Sequence, residues 1–262
     1  MSKTYKFISW NVNGIRAVDR KKALKWVDDS SIDILAVQET KSTKEQIPFS
    51  IFEKEYKTLL ASQSAIKGRS GTALFTDIQT TFLDTCASVD VLNEGRINEA
   101  HFTLGDKDIA FFNVYFPNGQ SSQERLDYKM QFYDRFLEHC EKLKKDGKSI
   151  IICGDVNTAH TQIDIARPKA NEKKSGFLPM ERQWLTKFLD HGYIDTFRYI
   201  NGDIKDKYSW WTYRANARAN NVGWRIDYFY VSQDLKDNIT DAYILDEIMG
   251  SDHCPVGLEI KL

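Results

Sequence analysis

Ser149-Ile150-Ile151-Ile152-Cys153-Gly154-Asp155-Val156-Asn157 contains the most apolar run of the 262-residue chain, and it stops abruptly in a carboxylate and an amide. A short apolar run bounded by polar residues reads as a buried strand. Ile8-Ser9-Trp10-Asn11-Val12-Asn13 shares the pattern: an apolar strand, a polar residue, Val, then Asn. The match suggests two related halves that place polar groups at equivalent strand ends. Working outward, further strand-like runs are Ile32–Val37, Thr72–Thr76, Ile97–Leu104, Ile109–Phe116, Trp224–Val231 and Pro255–Leu262. In the last, Val256, Leu258, Ile260 and Leu262 share one face, the period of a half-buried strand. Helical spacing appears at Leu126, Met130, Tyr133, Leu137 and Cys140, behind a capping box of Ser121 and Glu124. It recurs at Leu24 and Val27, and at Trp184–Leu189 before Gly192. Strands with interspersed helices predict a mixed α/β fold with two packed sheets, a single domain over 1–262.

Composition narrows the function. The chain is 42% hydrophobic and carries 36 Lys+Arg against 37 Asp+Glu, a formal charge of −1. Bulk attraction cannot hold a polyanion, so any such partner needs local positive features. No run of about 18 apolar residues is present, which predicts no membrane span. The opening Met1–Lys6 leads into a short apolar stretch broken at Asn11, unlike a secretory signal. Cys86, Cys140, Cys153 and Cys254 form no CxxC pair, which fits reduced thiols and a cytoplasmic setting.

Chemistry concentrates where apolar strands stop in polar residues, since strand ends are rigid supports for a cleft. Ile34–Val37 runs into Gln38-Glu39; Glu39 is either a solvated turn residue or a ligand for a hard cation such as Mg²⁺. Asn11 and Asn13 offer amides, although Asn13-Gly14 is also a turn dipeptide. Asp155 beside Asn157 reads as a carboxylate base next to an amide, or as a capped turn. Asp227 sits in the apolar Trp224–Tyr230 segment, where a charge needs a partner. His253, in Ser251-Asp252-His253, would supply one and gain a fixed tautomer. Tyr115 and Asn118 follow another strand, ahead of or after Pro117. Phosphate-loop, HExxH, GxSxG and GxGxxG patterns are absent. The remaining set suits metal-assisted attack of water on a phosphate ester.

Taken together, Ser9-Trp10-Asn11, Gln38-Glu39-Thr40-Lys41, Tyr115-Phe116-Pro117-Asn118, Gly154-Asp155-Val156-Asn157, Gly223-Trp224-Arg225-Ile226-Asp227-Tyr228 and Ser251-Asp252-His253-Cys254-Pro255 strongly resemble the exonuclease III family of apurinic/apyrimidinic endonucleases. The resemblance covers essentially the whole chain, in order, and points to the bacterial and archaeal exonuclease A branch. It implies a four-layered α/β sandwich, two mixed sheets packed face to face between helices. It also implies Mg²⁺-dependent hydrolysis of DNA on the 5′ side of abasic sites, leaving a 3′-hydroxyl, with Mn²⁺ able to substitute and 3′-end cleaning as a companion activity. Glu39 would be the main metal ligand, with Asn11 and Asp252. Asp155 would activate water, with Asn157; His253, oriented by Asp227, and Tyr115 would contact the scissile phosphate. Asn118 and Asn171 would hold phosphates, and Trp210, Trp224 and Ile226 would line the pocket for an extruded sugar.

Departures from the pattern are Asn13, where vertebrate members are acidic, Arg69, where many carry Tyr, and Trp210, where some carry Phe. Arg16, Lys41, Arg69, Arg125, Lys129, Lys169, Lys173, Lys174, Arg214, Arg218 and Arg225 are expected to form a basic rim for double-stranded DNA with abasic or 3′-blocked ends. The protein is expected to act as a monomer. The competing reading is a related metal-dependent phosphoesterase acting on a lipid or inositol phosphate.

Overall fold

The computed structural model describes residues 2–28, 31–47, 56 and 58–262. In chain order its elements are β1 (Thr4–Asn11), α1 (Ile15–Arg20), α2 (Lys25–Asp28), β2 (Ile34–Gln38), β3 (Thr58–Ser62), β4 (Thr72–Thr76), β5 (Phe82–Asp84), β6 (Ile97–Leu104), β7 (Lys107–Tyr115) and α3 (Gln123–Lys145). Then follow β8 (Ser149–Asp155), α4 (Pro168–Asn171), α5 (Pro179–Asp190), β9 (Tyr193–Asp195), α6 (Thr196–Asn201), β10 (Asp227–Ser232), β11 (Ile239–Ile244) and β12 (Val256–Lys261). They build two six-stranded mixed sheets, ordered β11-β12-β1-β2-β4-β3 and β5-β6-β7-β8-β10-β9.

The two-residue side-chain period explains the layering. In β8, Ile150 and Ile152 face α3 and α5, packing with Phe132, Tyr133, Phe136 and Trp184. The alternate residues Ile151 and Cys153 face the other sheet and meet Phe7, Ala36 and Leu258. On the far side of that sheet Ile8, Trp10 and Leu35 pack against Ile15, Val18, Leu24 and Val27. Helices, sheet, sheet, helices: the expected four layers are present. Strands covered on both faces bury every residue, which is why β2, β4 and β8 read as unbroken apolar runs.

The two halves are related as the repeated motif suggests. β1 runs parallel to β2 and antiparallel to β12, while β8 runs parallel to β7 and antiparallel to β10. Asn11 and Asp155 therefore end equivalent strands in facing sheets. Between the sheets a short polar chain interrupts the apolar filling: Gln38 Nε2 donates to Asn113 Oδ1 at 2.7 Å, and Asn113 Nδ2 donates to Asn98 Oδ1 at 2.9 Å. The chain registers one sheet against the other, although the buried Gln38 Oε1 meets no hydrogen-bond partner among the described residues.

Several boundaries differ from the sequence reading. α3 is capped by Ser122, whose Oγ accepts from Arg125 N at 3.3 Å, and not by Ser121. Of the two residues whose spacing suggested a helix after Asp19, Val27 lies in the short α2, while Leu24 sits in the turn that separates α1 from α2. β10 begins at Asp227, because Trp224 is held in isolated bridges to Ile165 and Trp210. Short strands at or near sheet edges, β3, β5, β9 and β11, escaped the periodicity. All four cysteines are buried free thiols. No described helix is long and apolar enough to cross a membrane.

Candidate active site

Tyr115, Asp155 and Asp227 stand abreast at the ends of β7, β8 and β10, since Asp155 is the register partner of both others. From the facing sheet come Asn11, ending β1, and Glu39, one residue past β2; His253 lies just before β12. Carboxyl ends of parallel pairs thus meet, the usual position of a site in α/β sheets. Tyr115, Asp155, Glu39 and His253 line a cavity of about 170 Å³ together with Asn118, Asn157, Trp210, Trp224, Ile226 and Asp252, while Asn11 and Asp227 stand behind them.

The loops are held in backbone conformations that ordinary residues rarely adopt. Asn13, Glu39, Lys41 and Asn157 have φ of 46°, 52°, 51° and 55°. A left-handed non-glycine residue costs roughly 1 kcal/mol or more and persists only where its surroundings over-determine it. Here Gly14 N donates to Glu39 O at 2.7 Å, and Thr40 N donates to Gly71 O at 2.9 Å. Gly71 itself allows that approach, since a Cβ there would lie 2.4 Å from Thr40 Oγ1.

At the centre, His253 Nδ1 lies 2.8 Å from Asp227 Oδ2, and its Nε2 faces Asp155 Oδ2 at 3.8 Å. Ser209 Oγ donates to the same Asp227 oxygen at 2.6 Å and accepts from Asp227 N. Burial alone would lower the imidazole's pKa; the charge and hydrogen bond of Asp227, then Asp155 and Asp252, outweigh it and raise it to about 10. The ring is therefore an imidazolium at neutral pH, with both nitrogens as donors. Asp155 is pushed up by burial and by its neighbours Asp227 and Glu39, against the pull of His253. Glu39, despite its burial, is held below the ordinary range by Lys41 and Asn11. Burial, and then the negative charge of Glu39 nearby, keep the Tyr115 phenol protonated.

A folded pKa above the ordinary 6.5 means that the His253 charge contributes stability fully below about pH 6.5 and loses it as pH rises through about 10. In metal-free denaturant titrations, the stability margin of wild type over His253→Gln shrinks across that window. A constant margin contradicts the imidazolium assignment.

Which groups suit a metal follows from what each atom already does. Glu39, Asp155 and His253 offer one atom each within 4.8 Å of one another. His253, as an imidazolium tied to Asp227, has no free lone pair. The two carboxylates are hard oxygen donors, and Lys41 Nζ rests 2.9 Å from Glu39 Oε2, a positive charge already seated on the acid. Asn11 Nδ2 donates to Glu39 at 3.0 Å and Asp155 at 2.9 Å, while its Oδ1 accepts from Asn13 N. Asp252 accepts from Asn13 Nδ2 at 2.8 Å and Trp210 Nε1 at 3.1 Å. The donor set fits a hard divalent cation centred on Glu39.

Beside the acids, Trp210 and Trp224 meet edge to face at 5.8 Å and pack with Ile226, giving one apolar wall. Asn157 Oδ1 accepts from Asn118 Nδ2 at 3.1 Å, and Asn157 Nδ2 donates to Phe116 O at 2.9 Å. A groove of about 940 Å³ continues past the tryptophans, lined by Asn171, Lys173, Lys174 and Arg214. Another of about 630 Å³ continues past Asn118, lined by Arg69, Arg96 and Arg125. Arg125 is partly neutralised there by Glu94, at 2.9 and 3.0 Å. Arg16 is exposed, its guanidinium 3.3 Å from Lys41 O.

Two expected rim residues are not on the surface. Lys129 is fully buried, donating to Glu181 Oε1 at 2.6 Å, Thr158 Oγ1 at 2.8 Å and Asn157 O at 2.9 Å. Arg225 is buried between Asp164 at 2.7 Å and Asp195 at 2.7 Å. Each pins a site loop from beneath, and a lone charge in the sequence carries no signal of that. Arg218 is half-buried, spent on the carbonyls of Asp246, Ile248 and Ser251. The sequence reading also gave no role to Ser209 or Ser251; the latter's Oγ ties Asn11 O to the His253 loop at 2.8 Å.

Over residues 8–253 the chain matches the Endonuclease/Exonuclease/phosphatase family. It is 42% identical to an exodeoxyribonuclease of Bacillus subtilis over 98% of its own length and 100% of that protein. It is 39% identical to a DNA-(apurinic or apyrimidinic site) endonuclease of Dictyostelium discoideum, over 98% of this chain and 71% of that one. Among solved structures, an AP endonuclease from Leishmania major superposes with a TM-score of 0.86 at 28% identity, covering 99% of this chain and 88% of the other.

Proposed function

Because the chain belongs to the Endonuclease/Exonuclease/phosphatase family, we propose that it is a DNA repair hydrolase of the exonuclease III type, cutting the backbone 5′ to abasic sites and leaving a 3′-hydroxyl. The relatives named as an exodeoxyribonuclease and an apurinic-site endonuclease support this substrate class, and the former supports an accompanying 3′-end activity. The observation that carries the reading is the pairing of a buried imidazolium with a buried carboxylate at 3.8 Å, beside a second, cation-bearing acid.

Asp155 takes the proton of the attacking water, held in place by Asn157 N, which donates to its Oδ1 at 2.8 Å. The water oxygen bonds to phosphorus as the P–O3′ bond breaks, and the departing O3′ takes a proton from solvent water to end as the 3′-hydroxyl. His253 and the Tyr115 phenol donate to the phosphoryl oxygens, where negative charge grows, so their stabilisation is greater in the transition state than before it. Asp227 does not touch the phosphate; it keeps the ring oriented and charged. Glu39 would hold Mg²⁺, with Asn11 and Asp252 beside it, and the ion would supply charge neutralisation at the phosphate. Trp210, Trp224 and Ile226 form the wall against which an extruded sugar packs, and Asn118 and Asn171 hold flanking phosphates. Arg16, Arg69 and Arg125, with the exposed lysines of the larger groove, draw in the duplex.

Two outcomes follow. Excess EDTA abolishes incision and added Mg²⁺ or Mn²⁺ restores it; undiminished cutting in chelator removes the cation from the mechanism. Affinity for duplex DNA falls linearly in log–log with salt, at a slope of about −0.9 per phosphate contacted, and a flat response contradicts the basic grooves. The function itself is tested by comparing turnover of an abasic duplex with that of a phosphoinositide. Preference for the duplex is expected, and preference for the lipid headgroup replaces DNA repair with lipid phosphate chemistry.

A further inference from the structure

A second polar cluster lies on the helix-facing side of the second sheet, away from the catalytic cavity. Cys86 follows β5, Glu99 lies on β6 and His139 on α3; the first two are 2% exposed. Cys86 Sγ is 2.8 Å from Glu99 Oε2, His139 Nε2 is 2.8 Å from the same oxygen, and sulfur and nitrogen are 3.9 Å apart. Their surroundings are Val89, Phe112, Phe136 and Leu137, an aromatic and aliphatic core. A thiol, a carboxylate and an imidazole converging there cost desolvation that apolar residues would avoid.

We propose that Cys86, Glu99 and His139 form a binding site for zinc or a similar borderline-soft divalent cation. Sulfur, nitrogen and oxygen donors from the segment after β5, from α3 and from β6 lie within 4.8 Å of one another. Zinc bonds of roughly 2.0–2.3 Å in tetrahedral geometry place ligand atoms about 3.3–3.6 Å apart, so the present separations of 2.8, 2.8 and 3.9 Å need shifts of about 0.3–0.8 Å. The thiolate and imidazole select zinc or cobalt over magnesium and calcium. His101 Nε2 lies 2.6 Å from the other Glu99 oxygen, the supporting contact that a ligating carboxylate takes. The His139 side chain is 24% exposed and leaves a route in from solvent for the ion and for a fourth, water ligand.

The protonation states suit the exchange. Burial opposes the Glu99 charge, but hydrogen bonds from His101, His139 and Cys86 prevail and hold its pKa down to about 2. Burial and the Glu99 charge push the Cys86 thiol up, so it keeps its proton until a cation arrives. On binding, the S–H bond breaks, the sulfur lone pair bonds to the cation and the proton passes to water; no oxidant or reductant is needed. The ion would clamp the β5–β6 edge to α3.

Cobalt(II) tests this on the full, chelator-stripped chain in excess Mg²⁺. A thiolate-to-cobalt charge-transfer band in the near ultraviolet is expected at one equivalent, because the catalytic cavity holds no cysteine. Zinc bleaches the band, Cys86→Ser abolishes it, and Cys140→Ala leaves it. His139→Gln weakens cobalt binding at least ~10-fold. A missing band at saturating cobalt overturns the proposal, as does a band that survives in Cys86→Ser. Should Cys86→Ser not fold, unchanged cobalt affinity in folded His139→Gln overturns it equally.

Discussion

Asp155→Asn and His253→Ala each lower single-turnover incision of an abasic duplex by about 10³-fold, roughly 4 kcal/mol of barrier, while leaving far-ultraviolet circular dichroism and duplex affinity nearly unchanged. The reasoning is positional. Asp155 is 1% exposed, with His253 on one side and Asn11 and Asn157 on the other, so no bulk water substitutes for it as a proton acceptor. Replacing it by an amide keeps the shape and the bond from Asn157 N but removes the base. His253→Ala leaves Asp227 without its imidazolium and the phosphoryl charge without a donor. Because the two act on one transition state, the double variant is expected to lose far less than the product of the single losses. Full activity in either single variant contradicts the roles assigned.

The second large effect concerns stability. Lys129→Met unfolds more easily by about 3–5 kcal/mol, because it leaves Glu181 charged and buried without its cation. All three ammonium protons are used, so the lysine is satisfied as well as paired. Glu181 in turn accepts from Ser175 Oγ at 2.7 Å, Gly176 N at 2.6 Å and Leu178 N at 2.9 Å. The pair therefore joins the loop after Asp155 to the turn that backs Trp224, where a Cβ on Gly176 would sit 2.8 Å from the ring. Adding Glu181→Gln to Lys129→Met removes the orphaned charge, and most of the lost stability returns. A DNA-contacting lysine gives the opposite pattern: normal stability with weakened duplex affinity. Urea unfolding and a binding titration on the same variants separate the two.

These cases show what a linear chain reveals. The strands that build the inter-sheet core were legible because burial on both faces leaves an uninterrupted apolar run, as at Ile150–Cys153. The cavity was legible because those runs stop in Asn, Glu, Asp and His within one or two residues. β5 and β9 were not, since three residues cannot display a period and neighbouring strands supply their pairing. Nor were Lys129 and Arg225: a charge on a helix or near a loop looks solvated until its partner, 52 or 30 residues away, is seen beside it. The Cys86, Glu99 and His139 cluster was hidden for the same reason, its members lying 13 and 40 residues apart. Motif order pointed to the residues gathered at the cavity, and only three-dimensional pairing showed that Lys129 and Arg225 are spent holding the scaffold.

The most direct test is single-turnover cleavage of an end-labelled duplex carrying one abasic-site analogue in Mg²⁺, with the product end identified and Glu39→Gln run in parallel. One product is predicted, ending in a 3′-hydroxyl immediately 5′ to the lesion, and formed at least ~10²-fold more slowly by Glu39→Gln. An intact duplex with the wild-type protein, or equal rates for the two, contradicts a phosphodiester site assembled from the facing strand ends.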